Sequence, residues 1–312
     1  MWSGDELDLG AYLERIGLGG PGPGESGPGG PDAMERPDGP GASGPGAPGA
    51  SGRGGARGRE LRPDLKTLFA VHRAHTGAIT FESLDVLFGR PVALDVHALE
   101  DKLVHAGRGG YCYEQNSLLA AALERLGFEV SGRGARNRTR GDVLTPVTHA
   151  VLVVTVEGQP WLCDAGFGYQ GTREPVPLAR PGPEVRQGEW TYRVREEEDG
   201  VLVLCLLRGG TWRDLYAFSP QRYHPVDYVL LNHYSSTHPR SAFIGRVIVQ
   251  HPGEDVRRTL VGRELSRLHP DGRVDRQLVG PRELLEVLDG EFGLRLPDRD
   301  AAELVRIHRA GD

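Results

Sequence analysis

Gly-Arg-Gly-Gly-Tyr-Cys-Tyr-Glu-Gln-Asn, residues 107–116, places a cysteine directly after a turn of small residues. Gly109 and Gly110 can adopt backbone angles that are barred to other residues, so they can present Cys112 at the start of the helix that follows. The unpaired N–H groups and the dipole at a helix start stabilise negative charge and therefore favour a thiolate. From this stretch alone two interpretations stay open: Cys112 is a nucleophile, or it is an ordinary small buried residue.

The residues after Cys112 predict a helix that is anchored in a core. Apolar side chains recur at helical spacing, at Leu118, Leu119, Ala122, Leu123 and Leu126. Glu114 lies in the predicted first turn, where a negative charge suits the helix dipole, and Gly127 follows the stripe as a stop signal. An anchored helix holds Cys112 in a fixed position.

Length and composition narrow the class of protein. The chain has 312 residues, enough for two or three modules with sizeable cores, and a net charge of -6, which gives no electrostatic reason to expect nucleic acid as a partner. No apolar run approaches the ~20 residues that span a bilayer, and the N-terminus lacks the features of a signal peptide. The three cysteines form no CxxC pair. We therefore expect a cytoplasmic protein with no membrane partner, no disulfide framework and no metal site.

One segment of the chain differs from the rest. In residues 19–59, about 24 of 41 positions are Gly or Pro. Such a segment buries too little apolar surface to offset its ordering entropy, so we expect a disordered insertion. It interrupts a first, mostly helical module, residues 1–127, in which Asp64 is placed to cap a helix.

The remainder divides into a β-rich module, residues 128–225, and a mixed module, residues 226–312. In the β-rich module, alternation and β-branched residues predict an antiparallel sheet or small barrel with strands at 148–156, 159–163, 190–194 and 201–207. In the mixed module we expect strands at 243–251, 259–268 and 273–278, a helix from Pro281 and a helix over 301–309. Pro270-Asp271-Gly272 predicts a hairpin between the last two of these strands.

A cysteine nucleophile needs a base, and the base needs an orienting group. His149 opens an apolar strand, where a core sheet tolerates a polar group only if it is hydrogen-bonded, and Asp164 ends the next strand. If the two strands are adjacent and antiparallel, the Asp164 carboxylate reaches one imidazole nitrogen and the other faces the thiol. On the residues alone, His149 could also be a structural histidine and Asp164 a turn former. Cys163 and Cys205 lie in apolar strand patterns, and we expect them in the core.

Residues 108–116 resemble the Arg-Gly-Gly-x-Cys-aromatic-Glu-x-Asn signature of the arylamine N-acetyltransferase family. Thr148-His149 before an apolar strand, and Trp161-Leu162-x-Asp164-x-Gly166-Phe167-Gly168, are similar to that family's histidine and aspartate motifs in the same order. Shorter similarities occur at 12–17, 81–84 and 236–239. The resemblance spans nearly the whole chain except 19–59, and several motifs in one order are more specific than any one of them.

The resemblance implies an α+β fold with three modules: an N-terminal helical bundle that carries the nucleophile, an antiparallel β-barrel that carries the histidine and the aspartate, and a C-terminal α/β lid. It implies a Cys-His-Asp triad like that of cysteine proteases, formed by Cys112, His149 and Asp164. Acetyl-CoA is then the co-substrate, without a metal. A small aromatic amine or hydrazine, or a hydrazide, receives the acetyl group in a ping-pong cycle through S-acetyl-cysteine.

The resemblance also implies a substrate pocket lined by Phe167, with Gly166, Gly168, Tyr113 and Phe243. The chain departs from the family at Thr80 and Ser83, where Pro and Asn are usual, and at Ala165, where Val is common; these changes bear on the shape of the pocket. Glu82 and Arg108 are expected to form a structural pair that braces the cysteine turn.

Other functions remain as alternatives. An amide synthase of the same family would release or cyclise a polyketide chain from a carrier protein with the same triad and without CoA. A hydrolase of the papain or transglutaminase kind lacks the Arg-Gly-Gly and Gly-Phe-Gly contexts found here. A non-catalytic binding module would need a broken triad, and all three positions are present.

Overall fold

The computed structural model describes residues 1–19, 61–141, 143–180 and 182–310. Apart from Gly19, the insertion predicted at 19–59 lies outside the described residues. The N-terminal part consists of short helical elements around one long helix, together with a short strand. These elements are a 3₁₀ turn (Gly4–Glu6), α1 (Leu9–Arg15), α2 (Leu65–Ala78), β1 (Phe81–Glu82), α3 (Leu84–Leu87), α4 (Val96–Leu99), a π-helical segment (Glu100–His105) and α5 (Cys112–Arg125).

Helix α5 lies at the centre of this part. It begins at Cys112 and ends ahead of Gly127, which has a φ of 90°. Every residue from Cys112 to Leu123 is buried, so the helix is enclosed on all sides rather than along the predicted apolar stripe alone. Its enclosed polar residues, such as Gln115 and Asn116, must therefore find hydrogen-bond partners inside the protein.

The β-rich part forms one antiparallel sheet. Its strands are β2 (Glu129–Asn137), β3 (Val147–Val156), β4 (Gln159–Cys163), β5 (Val176–Pro177), β6 (Val185–Gln187), β7 (Trp190–Glu196), β8 (Leu202–Arg208) and β9 (Thr211–Phe218). They lie in the order β5-β4-β3-β2-β9-β8-β7-β6, and β5 returns to contact β7. The sheet therefore curls into a nearly closed barrel, as predicted.

Strand β3 separates two hydrophobic cores, because its successive side chains point to opposite faces. Ala150, Leu152 and Val154 pack with the helices, while Val151 and Val153 pack inside the barrel. His149 has the same parity as Val151, so it belongs to the barrel face. Cys163 and Cys205 are buried, which confirms their expected place in the core.

The C-terminal part contains a second antiparallel sheet with helices packed against it. Its elements are α6 (Pro225–Thr237), β10 (Ile248–His251), β11 (Arg257–Val261), β12 (Glu264–Leu268), β13 (Val274–Leu278), α7 (Leu284–Phe292) and α8 (Asp298–Ala310). The sheet order is β1-β10-β11-β12-β13, so β1 of the N-terminal part supplies one edge. The α+β class with its helices and barrel is confirmed, whereas the module boundaries at 127 and 225 stay a prediction.

Two strands predicted in this part were wrong in extent. The strand expected at 243–251 is only β10, since Gly245 has a φ of 68° and Ile244 closes a turn onto Ser241. The strand expected at 259–268 is a hairpin of β11 and β12, because Gly262, with a φ of 58°, turns the chain within it. The hairpin at 270–272 is confirmed, with the Gly272 amide donating to the His269 carbonyl at 3.0 Å.

No helix in the part of the chain that the structure describes is long and apolar enough to cross a bilayer.

Candidate active site

Cys112 occupies the first position of α5 and is 3% exposed. The two glycines before it are needed for space, since neither adopts a positive φ. A Cβ at Gly109 would lie 2.0 Å from the Thr80 carbonyl oxygen, and one at Gly110 would lie 2.8 Å from the Glu114 side chain. The turn therefore positions the cysteine by close backbone approach rather than by unusual backbone angles.

His149 and Asp164 form a buried pair beside this helix start. His149 lies on β3 and Asp164 directly follows β4, and the two strands pair antiparallel, which meets the condition stated from the sequence. The His149 Nε2 lies 2.7 Å from Asp164 Oδ2. The second carboxylate oxygen, Oδ1, accepts hydrogen bonds from Asn116 Nδ2 at 3.0 Å and from the Gly166 amide at 2.9 Å. Burial alone would raise the pKa of Asp164, but the His149 charge and these hydrogen bonds lower it, so the carboxylate stays ionised.

The His149 ring carries a positive charge opposite the Asp164 carboxylate. Burial alone would lower its pKa, but the Asp164 charge, the hydrogen bond with Asp164 and the interaction with Cys112 raise it from 6.5 to about 10. The ring is therefore an imidazolium at neutral pH. Asp164 binds Nε2, and the Cys112 sulfur lies 3.9 Å from the carbonyl oxygen of Thr148, the residue before His149. An imidazolium beside a cysteine favours the thiolate, which is the nucleophilic form.

The loop after Asp164 lies directly on the start of α5. A Cβ at Gly166 would be 2.5 Å from Cys112 Cα and 2.8 Å from Asn116 Nδ2. Gly168 has a φ of 81°, and a Cβ there would be 1.8 Å from Gln250 Oε1 on β10. Gly166 therefore lies against Cys112 because it has no side chain, whereas Gly168 lies against β10 of the C-terminal sheet; a substrate-binding role for either glycine stays a prediction.

The predicted aromatic pocket residues lie in two groups. Phe167 is beside the histidine: its ring centroid is 5.1 Å from that of His149 and 4.9 Å from that of Tyr216. Tyr113 and Phe243 instead pack against Tyr111, at centroid distances of 5.5 and 5.3 Å. The structure brings Phe167 to His149 and places Tyr113 and Phe243 against Tyr111, the residue that precedes Cys112. A substrate-binding role for all three stays a prediction.

The comparisons with known proteins agree with this geometry. A family model described as N-acetyltransferase matches residues 64–301. An arylamine N-acetyltransferase from Mycolicibacterium smegmatis is 36% identical over 299 residues, which is 94% of this chain and 94% of the relative. The chain belongs to the arylamine N-acetyltransferase family. It is accordingly an acyltransferase.

Solved structures of family members are similar over nearly their whole length. The Nocardia farcinica arylamine N-acetyltransferase has a TM-score of 0.79 and 37% identity, and the similarity covers 97% of this chain and 95% of that one. The Mycobacterium marinum arylamine N-acetyltransferase, in complex with CoA, has a TM-score of 0.76 and 31% identity, with 97% of each chain covered.

The pair predicted between Glu82 and Arg108 is present and belongs to a larger buried cluster. Arg108 Nε donates to Glu82 Oε1 at 2.8 Å. Lys102 binds Glu114 at 2.6 Å, and Glu114 in turn accepts the Tyr111 amide at 3.0 Å. The cluster thus holds the turn on both sides of the glycines.

Sequence reasoning on this family member missed three residues around Asp164. His72 on α2 accepts the Asp164 amide at Nε2, at 3.0 Å, and donates from Nδ1 to the Arg173 carbonyl, also at 3.0 Å. Its burial lowers its pKa to about 4, so the ring is neutral with a fixed tautomer. Asn116 follows Cys112 by four residues and therefore lies on the same face of the helix, so the helical spacing could have identified it. Tyr216, 5.0 Å from the His149 ring, lies on β9, which the sequence did not indicate.

Proposed function

We propose that this family member moves the acetyl group of acetyl-CoA to arylamines, arylhydrazines or hydrazides through an S-acetyl-Cys112 intermediate. The observation that carries the proposal is the placement of Cys112 at the start of α5 beside a histidine that Asp164 holds at 2.7 Å. The names of the relatives and the CoA complex of the Mycobacterium marinum protein support the donor and the class of acceptor.

In the first half of the cycle, the Cys112 thiolate attacks the thioester carbonyl of acetyl-CoA. The tetrahedral adduct collapses by breaking the bond to the CoA sulfur. The imidazolium of His149 gives its proton to the departing CoA thiolate, so CoA leaves as a thiol and the ring becomes neutral. Asp164 keeps the ring oriented through Nε2 throughout the step.

In the second half, the nitrogen of the acceptor attacks the carbonyl of S-acetyl-Cys112. Neutral His149 takes a proton from that nitrogen, and the C–S bond breaks to release the N-acetyl product. The thiolate and the imidazolium are thereby restored. Splitting one acyl transfer into two steps avoids holding both substrates at once.

The positions of the other groups around Cys112 and His149 give each of them a proposed role. The backbone N–H groups at the start of α5 are suited to stabilise the oxyanion of each tetrahedral adduct. Phe167 stands edge-on to the His149 ring, with an interplanar angle of 66°, and is suited to contact the acyl group or the aromatic acceptor. The backbone of Gly166 and Gly168, on either side of Phe167, is proposed to line the same pocket. We propose Tyr113 and Phe243 as more distant contributors to its shape.

Isotope exchange tests the ping-pong cycle without any acceptor. Enzyme incubated with acetyl-CoA and labelled CoA is expected to move the label into acetyl-CoA, because the first half-reaction is reversible. Cys112→Ser is expected to show no exchange, whereas Cys163→Ser, which alters a buried core thiol, serves as the matched control and is expected to retain it. Acetylation of an arylamine without any exchange would instead indicate direct transfer between two bound substrates.

No observation favours an amide synthase, and the cytoplasmic location stays a prediction. A rate comparison of anilines, arylhydrazines and aliphatic amines with acetyl-CoA as the donor defines the acceptor class.

A further inference from the structure

Gln115 is buried in the first turn of α5 and holds the backbone around the cysteine turn. Its Nε2 donates toward three carbonyl oxygens, those of Ile79 at 3.2 Å, Thr80 at 3.1 Å and Gly110 at 3.2 Å. Ile79 and Thr80 lead into β1, and Gly110 precedes Cys112 by two residues. The amide of one buried side chain therefore joins that segment and the turn to the helix that begins at Cys112.

Two of the carbonyls that Gln115 binds also form the hydrogen bonds of the turn itself. The Gly110 amide donates to the Thr80 carbonyl at 3.3 Å, and the Gly110 carbonyl accepts the Glu82 amide at 3.1 Å. A Cβ at Gly109 would lie 2.0 Å from the same Thr80 oxygen. Gln115 thus binds the atoms that fix the path of the chain into α5.

His75 on α2 fixes the direction in which the Gln115 amide points. An amide nitrogen only donates and an amide oxygen only accepts, so three carbonyls on one side require the oxygen to face the other way. There, Oε1 lies 2.8 Å from His75 Nε2, which must therefore carry a proton. Tyr12 on α1 completes the chain, because its hydroxyl lies 2.9 Å from Nδ1, the remaining acceptor of the ring.

The His75 ring is neutral and is held in one tautomer. It is fully enclosed, and burial first, then the nearby His72 and Arg15, lowers its pKa to about 3. With Nε2 protonated toward Gln115, Nδ1 keeps its lone pair and accepts the proton of the Tyr12 hydroxyl. Removal of one partner leaves a buried polar atom unsatisfied and frees the Gln115 amide to rotate.

Helix α2 also supports the other half of the site. His72 precedes His75 by three residues, so the two rings lie on one face of α2. His72 Nε2 accepts the Asp164 amide at 3.0 Å. Through these two rings, one helix supports both the aspartate that holds His149 and the turn that carries Cys112.

We propose that Gln115 is a positioning residue for Cys112, and that His75 orients it. Tyr12 fixes the tautomer that makes this orientation possible. The consequence for the reaction rests on the proposed function, in which Cys112 must reach both His149 and the thioester carbonyl. Because Gln115 acts through the backbone of the turn, its release is expected to slow S-acetylation and to leave the binding of acetyl-CoA unchanged.

Two substitutions of one residue separate positioning from stability. His75→Leu removes the donor to Gln115, whereas His75→Gln keeps an N–H donor on a side chain of similar reach. The rate of CoA release in a single turnover is expected to fall about 10–100-fold in His75→Leu, with an unchanged half-saturating concentration of acetyl-CoA. His75→Gln is expected to recover most of that loss.

His308→Leu is the matched control for the loss of a buried histidine. The His308 ring is also buried, and its Nε2 lies 2.9 Å from the Val279 carbonyl oxygen in the C-terminal part. His308→Leu is expected to lower the melting temperature and to keep the wild-type rate of CoA release. An equal loss of rate in His308→Leu, or no loss in His75→Leu, would overturn the proposal.

Alkylation of Cys112 by iodoacetamide gives a readout that needs no acetyl-CoA. A cysteine displaced from the imidazolium carries less thiolate at neutral pH, so the ratio of its alkylation rates at about pH 7 and about pH 10 is expected to fall in His75→Leu but not in His308→Leu. Mass spectrometry of the peptides separates Cys112 from the core cysteines. A wild-type ratio in His75→Leu would overturn the proposal. A lowered ratio in an enzyme that releases no CoA would instead uphold it and refute the proposed function.

Nitrogen NMR of the wild-type protein tests the same chain of hydrogen bonds without a substitution that could prevent folding. His75 is expected to carry its proton on Nε2 and none on Nδ1, with no change between about pH 5 and about pH 8. A proton on Nδ1, or titration of the ring in this range, would break the chain from Tyr12 to Gln115 and overturn the proposal.

Discussion

Gly166→Ala is the sharpest steric test of how the site is assembled. The added Cβ would lie 2.5 Å from Cys112 Cα and 2.9 Å from the Cys112 carbonyl oxygen, and both of these are backbone atoms that no rotamer change can move. Ordinary contacts of a Cβ begin at about 3.4 Å, so the loop and the helix start must separate by about 0.9 Å. A displacement of about 1 Å between reacting groups can cost about 100-fold in rate, and overpacking costs about 1–3 kcal/mol in stability.

We therefore expect Gly166→Ala to fold, with a lower melting temperature, and to lose about 100-fold in kcat/KM for acetyl-CoA with an arylamine acceptor. Gly290→Ala is the matched control, since a Cβ there meets nothing within 4 Å in helix α7. It is expected to keep full activity and to gain about 0.5–1 kcal/mol from helix propensity. Wild-type kcat/KM in Gly166→Ala would refute the view that close approach of this loop positions Cys112.

Three further predictions concern the groups around the cysteine. Asn116→Ala removes the donor to Asp164 and is expected to cost about 1–3 kcal/mol in chemical denaturation, with a fall in kcat/KM; unchanged activity would show that the carboxylate needs no such support. Arg108→Ala leaves buried carboxylates without a partner and is expected to lower the free energy of unfolding by about 3–5 kcal/mol. Arg306→Ala, at an exposed ion pair, is the control and is expected to leave the melting temperature unchanged. Equal effects of the two substitutions would contradict the bracing role of Arg108. Because the pKa of His149 rises from 6.5 to about 10 on folding, the stability from its charge is complete below pH 6.5 and is lost as pH rises through about 10. His149→Gln should therefore lose more stability relative to the wild type at about pH 6 than at about pH 11, and a constant difference would contradict the raised pKa.

The residues of the proposed triad could be predicted because each lies in a local pattern with a chemical meaning. The Gly-Gly turn before α5 marked Cys112, and polar residues at the ends of apolar strands marked His149 and Asp164. The shift from helical to alternating periodicity indicated a helical part followed by a sheet or small barrel, and the resemblance in the motifs implied the α+β class with its three modules.

Strand β2 shows why part of the barrel escaped prediction. Its Gly132 and Gly134 interrupt the alternation that identifies a strand. A Cβ at Gly134 would lie 2.6 Å from the Tyr223 ring, and one at Gly132 would lie 2.7 Å from the Tyr223 carbonyl oxygen. The glycines are thus required by a residue some 90 positions away, which no local pattern displays.

The partners of Asp164 escaped prediction for a related reason. His72 reaches it across 92 positions of sequence, and Tyr216 reaches His149 from β9, in which only the second half is buried. Such contacts depend on how α2 and the barrel pack together. A single sequence displays the periodicity of each element but not which polar residues of different elements meet.

Cys112 is proposed to carry the acetyl group between the two half-reactions, and mass spectrometry tests this directly. Enzyme incubated with acetyl-CoA alone is expected to gain the mass of one acetyl group on the peptide that contains Cys112 and to lose it when an arylamine is added. Cys112→Ser is expected to show no such gain. An unmodified Cys112 peptide in enzyme that is actively acetylating an arylamine, or an acetyl group on another residue that turns over in its place, would contradict the account.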